Sequence, residues 1–300
     1  MVKEFAARKR YILASLTRDI MARLKQYHIG VAPGDVARYV LLPGDPGRVE
    51  FIASFWDKAE KMGQNREYVV YTGKVGGVPI SCCSTGIGGP AVAIAVEELS
   101  RCGADTLIRV GTAGGLQPWV KVGDVAISDA AVRLEGTSRT YVRYEYPAVA
   151  SYDVVLALIE SAVRSHYPYV VGITRSGDAF YSQRPISNSF KGYWQSEMEN
   201  VLPDLVRANV VSGEMEASVV FTLARLFGLR ASAVCAVLDN VLEVVKKGKE
   251  FDPTKDFEHK PEYIERAAQT ANGAVKILAK WDKDREAAKA KYWHPTLSFK

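Results

Sequence analysis

Short apolar runs that end in glycine-containing segments are the feature that most limits how this chain can fold. Because several of these segments lead into a helical pattern, strands and helices must share one layered structure. Strands are predicted at residues 39–42, 68–71, 80–84, 106–110, 124–130, 170–175 and 231–238, and helices at 91–102, 154–165, 215–226 and 263–281. This mixture predicts an α/β fold, in which ligands collect beyond the carboxyl ends of the strands.

The two ends of the chain look like additions to this layered domain. We expect one domain over residues 1–300, with a core of about 27–281, an N-terminal helical extension at 1–26 and a C-terminal tail at 282–300. Apolar side chains recur at helical spacing in the extension and predict that it packs on another surface, such as a second subunit: Ile12, Leu16, Ile20 and Leu24. Neither a signal peptide nor a bilayer-spanning run is evident, which predicts a cytoplasmic protein.

Charge and cysteine content exclude several classes of function. The formal net charge is +5 over 300 residues, with acidic residues interspersed among the basic ones, and the short run "KKGK" at 246–249 is typical of a solvated loop. We therefore expect no nucleic-acid or membrane partner, although a small anionic substrate is compatible. No C-x-x-C pair or zinc-ligand spacing occurs, so neither a metal nor another cofactor is expected. The cysteines are interpreted as packed thiols of a reducing compartment: Cys82, Cys83, Cys102 and Cys235.

The first glycine-containing exit is "YVLLPGDPGRVE" at 39–50. Gly44 lies between two prolines, and Arg48 follows where a helix could start. A plain turn would explain the glycine and prolines, whereas exposed backbone amides beside a guanidinium group would bind an anion. The second exit, "STGIGGPAVAIAVEEL", has neither the Walker lysine nor the spacing of a dinucleotide fingerprint, so a nucleotide cofactor is not expected.

The third exit, "LIRVGTAGGLQ" at 107–117, places Arg109 inside an apolar strand. Because an unpaired charge is costly there, Arg109 must either form a buried salt bridge or offer its planar fork to an oxyanion. Thr112 and the amides around Gly111 and Gly114 would assist in binding that oxyanion. A second arginine at a glycine-containing exit favours the anion site over a plain turn.

The fourth segment, "GEMEAS", brackets Met215 with Glu214 and Glu216 at the predicted start of a helix. Carboxylates are favoured there by the helix dipole alone. The two carboxylates could also have different roles, one accepting hydrogen bonds from a sugar diol and the other fixing the positions of neighbouring residues. Met215 would then pack on the apolar face of the sugar.

These motifs together resemble those of the hexameric nucleoside phosphorylases, and within that family the uridine phosphorylases most of all. The matching segments, in order, are "LLPGDPGRVE", "NREY", "STGIGGPAVAIAVEEL", "RVGTAGGLQP", "VGDVAISDAAVRLEG", "YEYPAVA" and "GEMEAS". The resemblance implies a three-layer α/β/α sandwich around a mixed, partly barrel-like central sheet. It also implies a homodimer with shared active sites, usually three dimers in a ring, and phosphorolysis of uridine to uracil and ribose 1-phosphate.

The resemblance also implies a role for each matching residue. Phosphate would be bound by one glycine, one threonine and three arginines: Gly44, Thr112, Arg48, Arg109 and, from the neighbouring subunit, Arg66. Ribose would be bound by His28 of the neighbouring subunit together with Met215, Glu216 and the supporting Glu214. The base would meet Phe180, Gln183 and Arg184.

The base site departs from the family pattern in two places. Gln183 and Arg184 are adjacent rather than separated by one residue, so their side chains tend to point apart in an extended loop. Asp239, at the end of the last predicted strand, is either a strand-end cap or a general acid that protonates a leaving purine. Three further functions therefore remain open: a purine nucleoside phosphorylase acting on inosine, adenosine or guanosine, a dual-specificity enzyme, and a nucleoside-binding protein without activity. Hydrolysis by water is disfavoured, because it would not need Arg48, Arg66 and Arg109.

Overall fold

In a computed structural model of the chain, residues 24–182, 189–193, 195–246, 254, 257 and 260–298 are described. Their ten strands form one sheet: β1 Tyr39–Leu42, β2 Lys58–Asn65, β3 Tyr68–Val75, β4 Val78–Cys83, β5 Thr106–Gly115, β6 Val125–Leu134, β7 Ala148–Val149, β8 Tyr169–Gly177, β9 Ser212–Glu214 and β10 Arg230–Asn240.

The sheet is mixed and closes on itself along half of its width. The strand order is β10-β6-β8-β9-β5-β1-β4-β3-β2, and β10 also pairs with β5, so that five strands form a closed barrel. Strand β1 runs parallel to both β5 and β4, whereas the hairpin partners β2, β3 and β4 pair antiparallel. Because β1, β5 and β10 are parallel neighbours, their carboxyl ends meet at one edge of the barrel.

Eight α-helices accompany the sheet in the described residues: α1 Gly47–Ala53, α2 Gly89–Arg101, α3 Thr137–Tyr141, α4 Tyr152–Arg164, α5 Met198–Arg207, α6 Ala217–Leu226, α7 Val241–Lys246 and α8 Pro261–Ala287. Helices α1, α4 and α8 form one contacting group, and α2, α3 and α6 form another. The α/β class with a mixed, partly barrel-like sheet, as predicted from the sequence, is confirmed.

Several elements differ from the sequence prediction. Strand β2 was not predicted because its sequence, KAEKMGQN, is polar and lies mostly exposed at the edge of the sheet. Helix α5 was missed because it contains Pro203, and β9 because it is only three residues long. The helix predicted from residue 215 begins at Ala217.

The C-terminal tail packs on its own chain. Helix α8 continues to Ala287, and the following segment returns Trp293 to stack on Trp281 with ring centroids 3.9 Å apart. Tyr152 of α4 donates a hydrogen bond to the Trp293 carbonyl oxygen. The predicted extension lies largely outside the described residues, since these start at position 24. None of the described helices is long and apolar enough to cross a membrane.

A partly buried ionic cluster, here called the basal cluster, connects α4 and α8 to the amino ends of β5 and β10. Arg230, the first residue of β10, donates to Asp282 at 2.7 and 2.9 Å, to Asp153 at 2.9 Å and to Thr106. Asp282 also accepts a hydrogen bond from Tyr39 at 2.6 Å. Burial acts to raise the pKa of Asp282, but its hydrogen bonds and the charge of Arg230 outweigh that effect and lower the pKa.

Candidate active site

A cavity of about 670 Å³ opens at the carboxyl ends of β1, β5, β8 and β9. Eight of the residues singled out in the sequence line it: Gly44, Arg48, Arg109, Thr112, Phe180, Glu214, Met215 and Glu216. The strand exits that were predicted to carry ligand-binding groups therefore converge on one space.

The exit after β1 supplies Gly44 and Arg48, the latter in the first turn of α1. The Gly44 carbonyl accepts the Gly86 amide at 2.9 Å, and a Cβ added to Gly44 would lie 3.0 Å from the Gly86 oxygen. Only glycine lets these two exits approach so closely without displacement. Burial lowers the pKa of Arg48, Asp45 opposes this shift, and the positive charge of Arg109 adds to it. Arg48 and Arg109 both line the cavity.

The guanidinium group of Arg109 is already partly paired within the protein. Its Nε donates to Glu214 at 2.6 Å and its Nη2 forms an ion pair with Glu216, while its third nitrogen, Nη1, has no hydrogen-bond partner among the described residues. Burial acts to lower the pKa of Arg109, but Glu216 and Glu214 outweigh it and raise the pKa. The salt bridge and the position in the cavity wall, which the sequence presented as alternatives, occur together.

The two glutamates have different surroundings. Glu214 ends β9 and accepts the amides of Glu216 and Ala217 at 2.8 and 2.9 Å, as well as the Ser176 hydroxyl, so its carboxylate holds the start of α6. Glu216 precedes α6 and accepts the Gly88 amide. Burial raises the pKa of Glu216, although Arg109 acts to lower it. Glu214 thus fixes its neighbours, and Glu216 is the one held by fewer internal groups.

Thr112, Met215 and Phe180 also line the wall, as half-buried side chains. Phe180 belongs to a group of aromatic rings, with edge-to-face contacts to Tyr181 at 5.1 Å and to Phe257 at 6.2 Å between centroids. Flat apolar rings of this kind can stack on a planar ligand.

Two predicted residues lie away from this cavity, and both were expected to act from a neighbouring subunit. His28 is held by Glu98, whose Oε1 lies 2.8 Å from its Nδ1. Arg66 is exposed in the turn between β2 and β3, with φ of 53°.

Of the remaining residues predicted at the base site, only Asp239 is among the described residues. Gln183 and Arg184 lie outside the described residues. Asp239 is 2% exposed and packs against Gly114, where its Oδ1 would lie 2.8 Å from an added Cβ. It is Leu238, the residue before it, that lines the cavity.

The sequence interpretation missed a third arginine in the wall. Arg175, near the end of β8, lines the cavity and is half-buried. Its signal was the one that identified Arg109, namely an arginine inside an apolar strand two residues before a glycine, in "GITRSG". Glu67, Ile87 and Phe257 also line the cavity without having been singled out. No group of three or more His, Cys, Asp or Glu side chains in the described part of the chain could hold a metal ion.

Comparisons with known proteins agree with this geometry. Residues 38–279 match the model of the phosphorylase superfamily. The uridine phosphorylase of Thermococcus kodakarensis is 52% identical over 274 residues, covering 91% of this chain and 93% of the relative. The guanosine phosphorylase of Halorubrum lacusprofundi is 41% identical over 254 residues, covering 85% and 99%. A crystal structure of uridine phosphorylase from Vibrio fischeri superposes with a TM-score of 0.71 at 32% identity, covering 85% of this chain and 98% of that one.

Proposed function

Because the chain belongs to the phosphorylase superfamily, we infer that it is a nucleoside phosphorylase, a pentosyltransferase that cleaves uridine with inorganic phosphate. The products are uracil and ribose 1-phosphate, and the reaction is reversible. This assignment is supported by the 52% identity to a uridine phosphorylase over nearly the whole chain.

The observation that carries the proposal is that two arginines from separate strand exits line one cavity. Arg48 lies in α1, which follows β1, whereas Arg109 lies in β5, and the positive charge of Arg109 contributes to lowering the pKa of Arg48. A phosphate between them would relieve this repulsion and accept charge-assisted hydrogen bonds. It would also offer an acceptor to Arg109 Nη1, which has none among the described residues.

In the proposed reaction, phosphate lies on one side of the ribose and the departing base on the other. As the C1′–N bond stretches, the ribose becomes oxocarbenium-like, as in glycoside hydrolysis. Phosphate held by Arg48, Arg109, Thr112 and the Gly44 amide would stabilise that cation and attack C1′. Positioning a second reactant in this way can lower the barrier by about 7–11 kcal/mol. The bonding electrons leave with the base, and the proton of the hydrogen phosphate ends on it.

The ribose would lie between phosphate and base, against Met215 and Glu216. Glu216 would accept hydrogen bonds from the sugar hydroxyls, while Glu214 keeps Arg109 and the start of α6 in place. The ring of Phe180 would stack on the base, and Gln183 and Arg184 would contribute from the adjoining segment.

The remaining features of the proposal concern assembly and context. We propose a homo-oligomer built from dimers, in a hexamer, in which Arg66 and His28 reach the neighbouring subunit's phosphate and ribose. Inorganic phosphate would be the co-substrate, with no metal or organic cofactor and no nucleic-acid partner. A single catalytic domain acting in the cytoplasm in pyrimidine salvage is consistent with this chemistry.

The direct test is release of free base from uridine, thymidine, inosine, guanosine and adenosine, each with and without phosphate. We expect uridine to be cleaved only when phosphate is present, with ribose 1-phosphate formed in equal amount. Cleavage that is independent of phosphate would identify a hydrolase, and binding without cleavage would identify a nucleoside-binding protein. Either result would overturn the proposal.

A purine nucleoside is the second candidate substrate. It is favoured by the 41% identity to a guanosine phosphorylase and by Asp239, whose buried carboxylate follows the cavity residue Leu238. In the same assay, inosine or guanosine turnover above that of uridine would assign the enzyme to purines. Asp239→Asn would then lower purine cleavage far more than uridine cleavage.

A further inference from the structure

Glu98 is a buried carboxylate that the proposed reaction does not use. It lies near the end of α2 and is 5% exposed. The residue before it, Glu97, instead forms an ion pair with Arg101 on the surface of the same helix, at 2.7 Å. Because a buried carboxylate is costly unless it is hydrogen-bonded, the partners of Glu98 explain its position.

Within the described residues, the hydrogen-bond partners of Glu98 all belong to the segment that carries His28. Glu98 Oε2 accepts the backbone amides of His28 and Ile29 at 3.0 and 2.9 Å. Its Oε1 lies 2.8 Å from Nδ1 of the His28 ring and 3.2 Å from the His28 amide nitrogen. One oxygen therefore binds mainly the backbone, and the other binds the ring.

The bond to Glu98 determines which nitrogen of the His28 ring carries the hydrogen. An ionised carboxylate accepts hydrogen bonds and donates none, so Nδ1 must be the protonated nitrogen. In the neutral ring, Nε2 then keeps its lone pair and is an acceptor. The His28 side chain is 29% exposed, and Nε2 has no hydrogen-bond partner in the described part of the chain. A fixed ring with one accessible acceptor results.

The segment around His28 is also attached to the hairpin that carries Arg66. Asn65 Nδ2 donates to the carbonyl oxygens of Tyr27 and His28 at 3.1 and 2.8 Å. Tyr27, which is 75% exposed, packs edge-to-face on the His28 ring with centroids 4.8 Å apart. The two residues that are proposed to act on a neighbouring subunit, His28 and Arg66, therefore belong to one connected piece of surface.

We propose that Glu98 is a positioning residue that holds His28 as the Nδ1–H tautomer, so that Nε2 accepts a hydrogen bond from the 5′-hydroxyl group of the ribose. This inference rests on the proposed function, in which His28 reaches the ribose of the neighbouring subunit. As the C1′–N bond breaks, the sugar becomes positively charged. A nitrogen lone pair on that side is then favourable, whereas an N–H dipole pointing at the sugar is not. The effect of Glu98 should therefore fall mainly on kcat.

Glu98→Gln tests the tautomer, because glutamine has nearly the same shape but carries one acceptor and one donor. Its oxygen can take the place of Oε2 and accept the two backbone amides, which leaves its NH₂ group facing Nδ1. The ring must then carry its hydrogen on Nε2, which becomes a donor. A matched control is Glu97→Gln, the same change at the adjacent surface residue, which should behave as the unaltered enzyme.

Three nucleosides that differ only at the 5′ position detect this change. Uridine has a hydroxyl group that donates and accepts, 5′-amino-5′-deoxyuridine has an ammonium group that only donates, and 5′-deoxyuridine has neither. For each, kcat and kcat/KM of Glu98→Gln are compared with those of the unaltered enzyme near neutral pH and at saturating phosphate. We expect kcat/KM to fall by about three- to tenfold for uridine and by about 10- to 100-fold for the ammonium compound, the sizes expected for a neutral and a charged hydrogen bond. For 5′-deoxyuridine, which lacks this bond, the change should be less than about twofold.

His28→Asn is a second variant that tests the same bond without altering Glu98. Asparagine keeps an amide donor near the position of Nδ1 but has nothing in place of Nε2. It should lose activity in the same order, most for the ammonium compound and least for 5′-deoxyuridine. Adding Glu98→Gln to His28→Asn should change kcat/KM by less than about twofold for any of the three, because Glu98 acts through His28. Thermal unfolding of each variant accompanies the kinetics, and His28→Asn decides the outcome if Glu98→Gln does not fold.

Three outcomes would overturn the inference about Glu98. Equal losses for the three nucleosides in folded Glu98→Gln would make Glu98 a purely structural residue. A gain for the ammonium compound in either variant would show that Nε2 is a donor in the unaltered enzyme. Unchanged kinetics with uridine and with the ammonium compound would exclude a contact with the 5′ group. Failure of the proposed function is distinguishable, because the unaltered enzyme would then show no phosphate-dependent cleavage of uridine.

Discussion

Arg230 is partly buried and Arg109 is buried, and each forms ion pairs with more than one carboxylate, yet they differ in whether every guanidinium nitrogen has a partner. All three nitrogens of Arg230 donate to side chains within the basal cluster. Arg109 uses Nε and Nη2 on Glu214 and Glu216, and its Nη1 has no partner in the described part of the chain. Arg230 is at the amino end of β10, whereas Arg109 lies beside the cavity.

The comparison teaches that composition alone does not distinguish a structural ion cluster from a catalytic one. Buried ion pairs are held together mainly by the cost of leaving one member alone, about 3–5 kcal/mol when a partner is removed. A cluster whose hydrogen-bonding groups are all used can serve stability only. One that leaves a donor unused next to a cavity can bind a ligand, and that difference is the basis of the first prediction.

The largest expected effect is a loss of catalytic activity in the Arg109→Met variant. Loss of this guanidinium removes charge from the phosphate site and leaves Glu214 and Glu216 uncompensated, so we expect kcat/KM for phosphate to fall by about 10³-fold. The measurement is the initial rate at fixed uridine over a range of phosphate concentrations. Phosphate saturation that matched the unaltered enzyme would remove Arg109 from the phosphate site.

Arg230→Met should show the opposite pattern. We expect the free energy of unfolding to fall by about 3–5 kcal/mol, because Asp282 and Asp153 lose their common partner. The folded fraction should keep KM values for uridine and phosphate within about twofold of the unaltered enzyme. Urea unfolding and kinetics at low temperature check both statements. A large change in phosphate KM would show that the two clusters are coupled and would break the comparison.

The smallest expected effect is an opposite response of the two clusters to acid. The lowered pKa of Asp282 means that its contribution to stability is present above its unfolded pKa of about 3.8 and is lost as pH falls through the lower folded pKa. The stability difference between the unaltered protein and Asp282→Asn should therefore shrink below about pH 4. Glu216 has a raised pKa, so stability should rise as pH falls from its folded pKa towards about 4.5.

The variant Glu216→Gln provides the second half of this test. Relative to Glu216→Gln, the unaltered protein should lose stability as pH increases above about 4.5, until the folded pKa of Glu216 is passed. Thermal midpoints measured from pH 3.5 to 7 check both curves. The two stability differences, one relative to Asp282→Asn and one relative to Glu216→Gln, should change with pH in opposite directions. If both changed in the same direction, the two clusters would respond alike to acid.

Much of the site could be predicted because its signals are local. Glycine at a strand exit and an arginine inside an apolar run are visible in a few consecutive residues, and so Gly44, Arg48 and Arg109 were found together. The resemblance to a family supplied their order in space. The same local signal was present at Arg175 but was not used, since residues 170–175 were interpreted only as a strand.

Other features could not be predicted because they depend on distant partners. The pairing of Arg109 with both glutamates joins residues more than a hundred positions apart. Strand β2 is polar and exists because β3 offers it a hydrogen-bonding edge. The return of Trp293 to Trp281 depends on the packing of α8 against α4, which periodicity within either helix does not reveal.

The order of strands at the mouth of the barrel has a consequence for how such enzymes diversify. In the proposed site, two strands separate the base-binding exit of β8 from the phosphate-binding exit of β1, so substitutions and insertions after β8 would alter the nucleobase preference and leave the phosphate site in place. Relatives that bear pyrimidine and purine names at 52% and 41% identity are what this modular layout would allow. Engineering a new base preference should therefore begin at the β8 exit and leave the loops after β1 and β5 untouched.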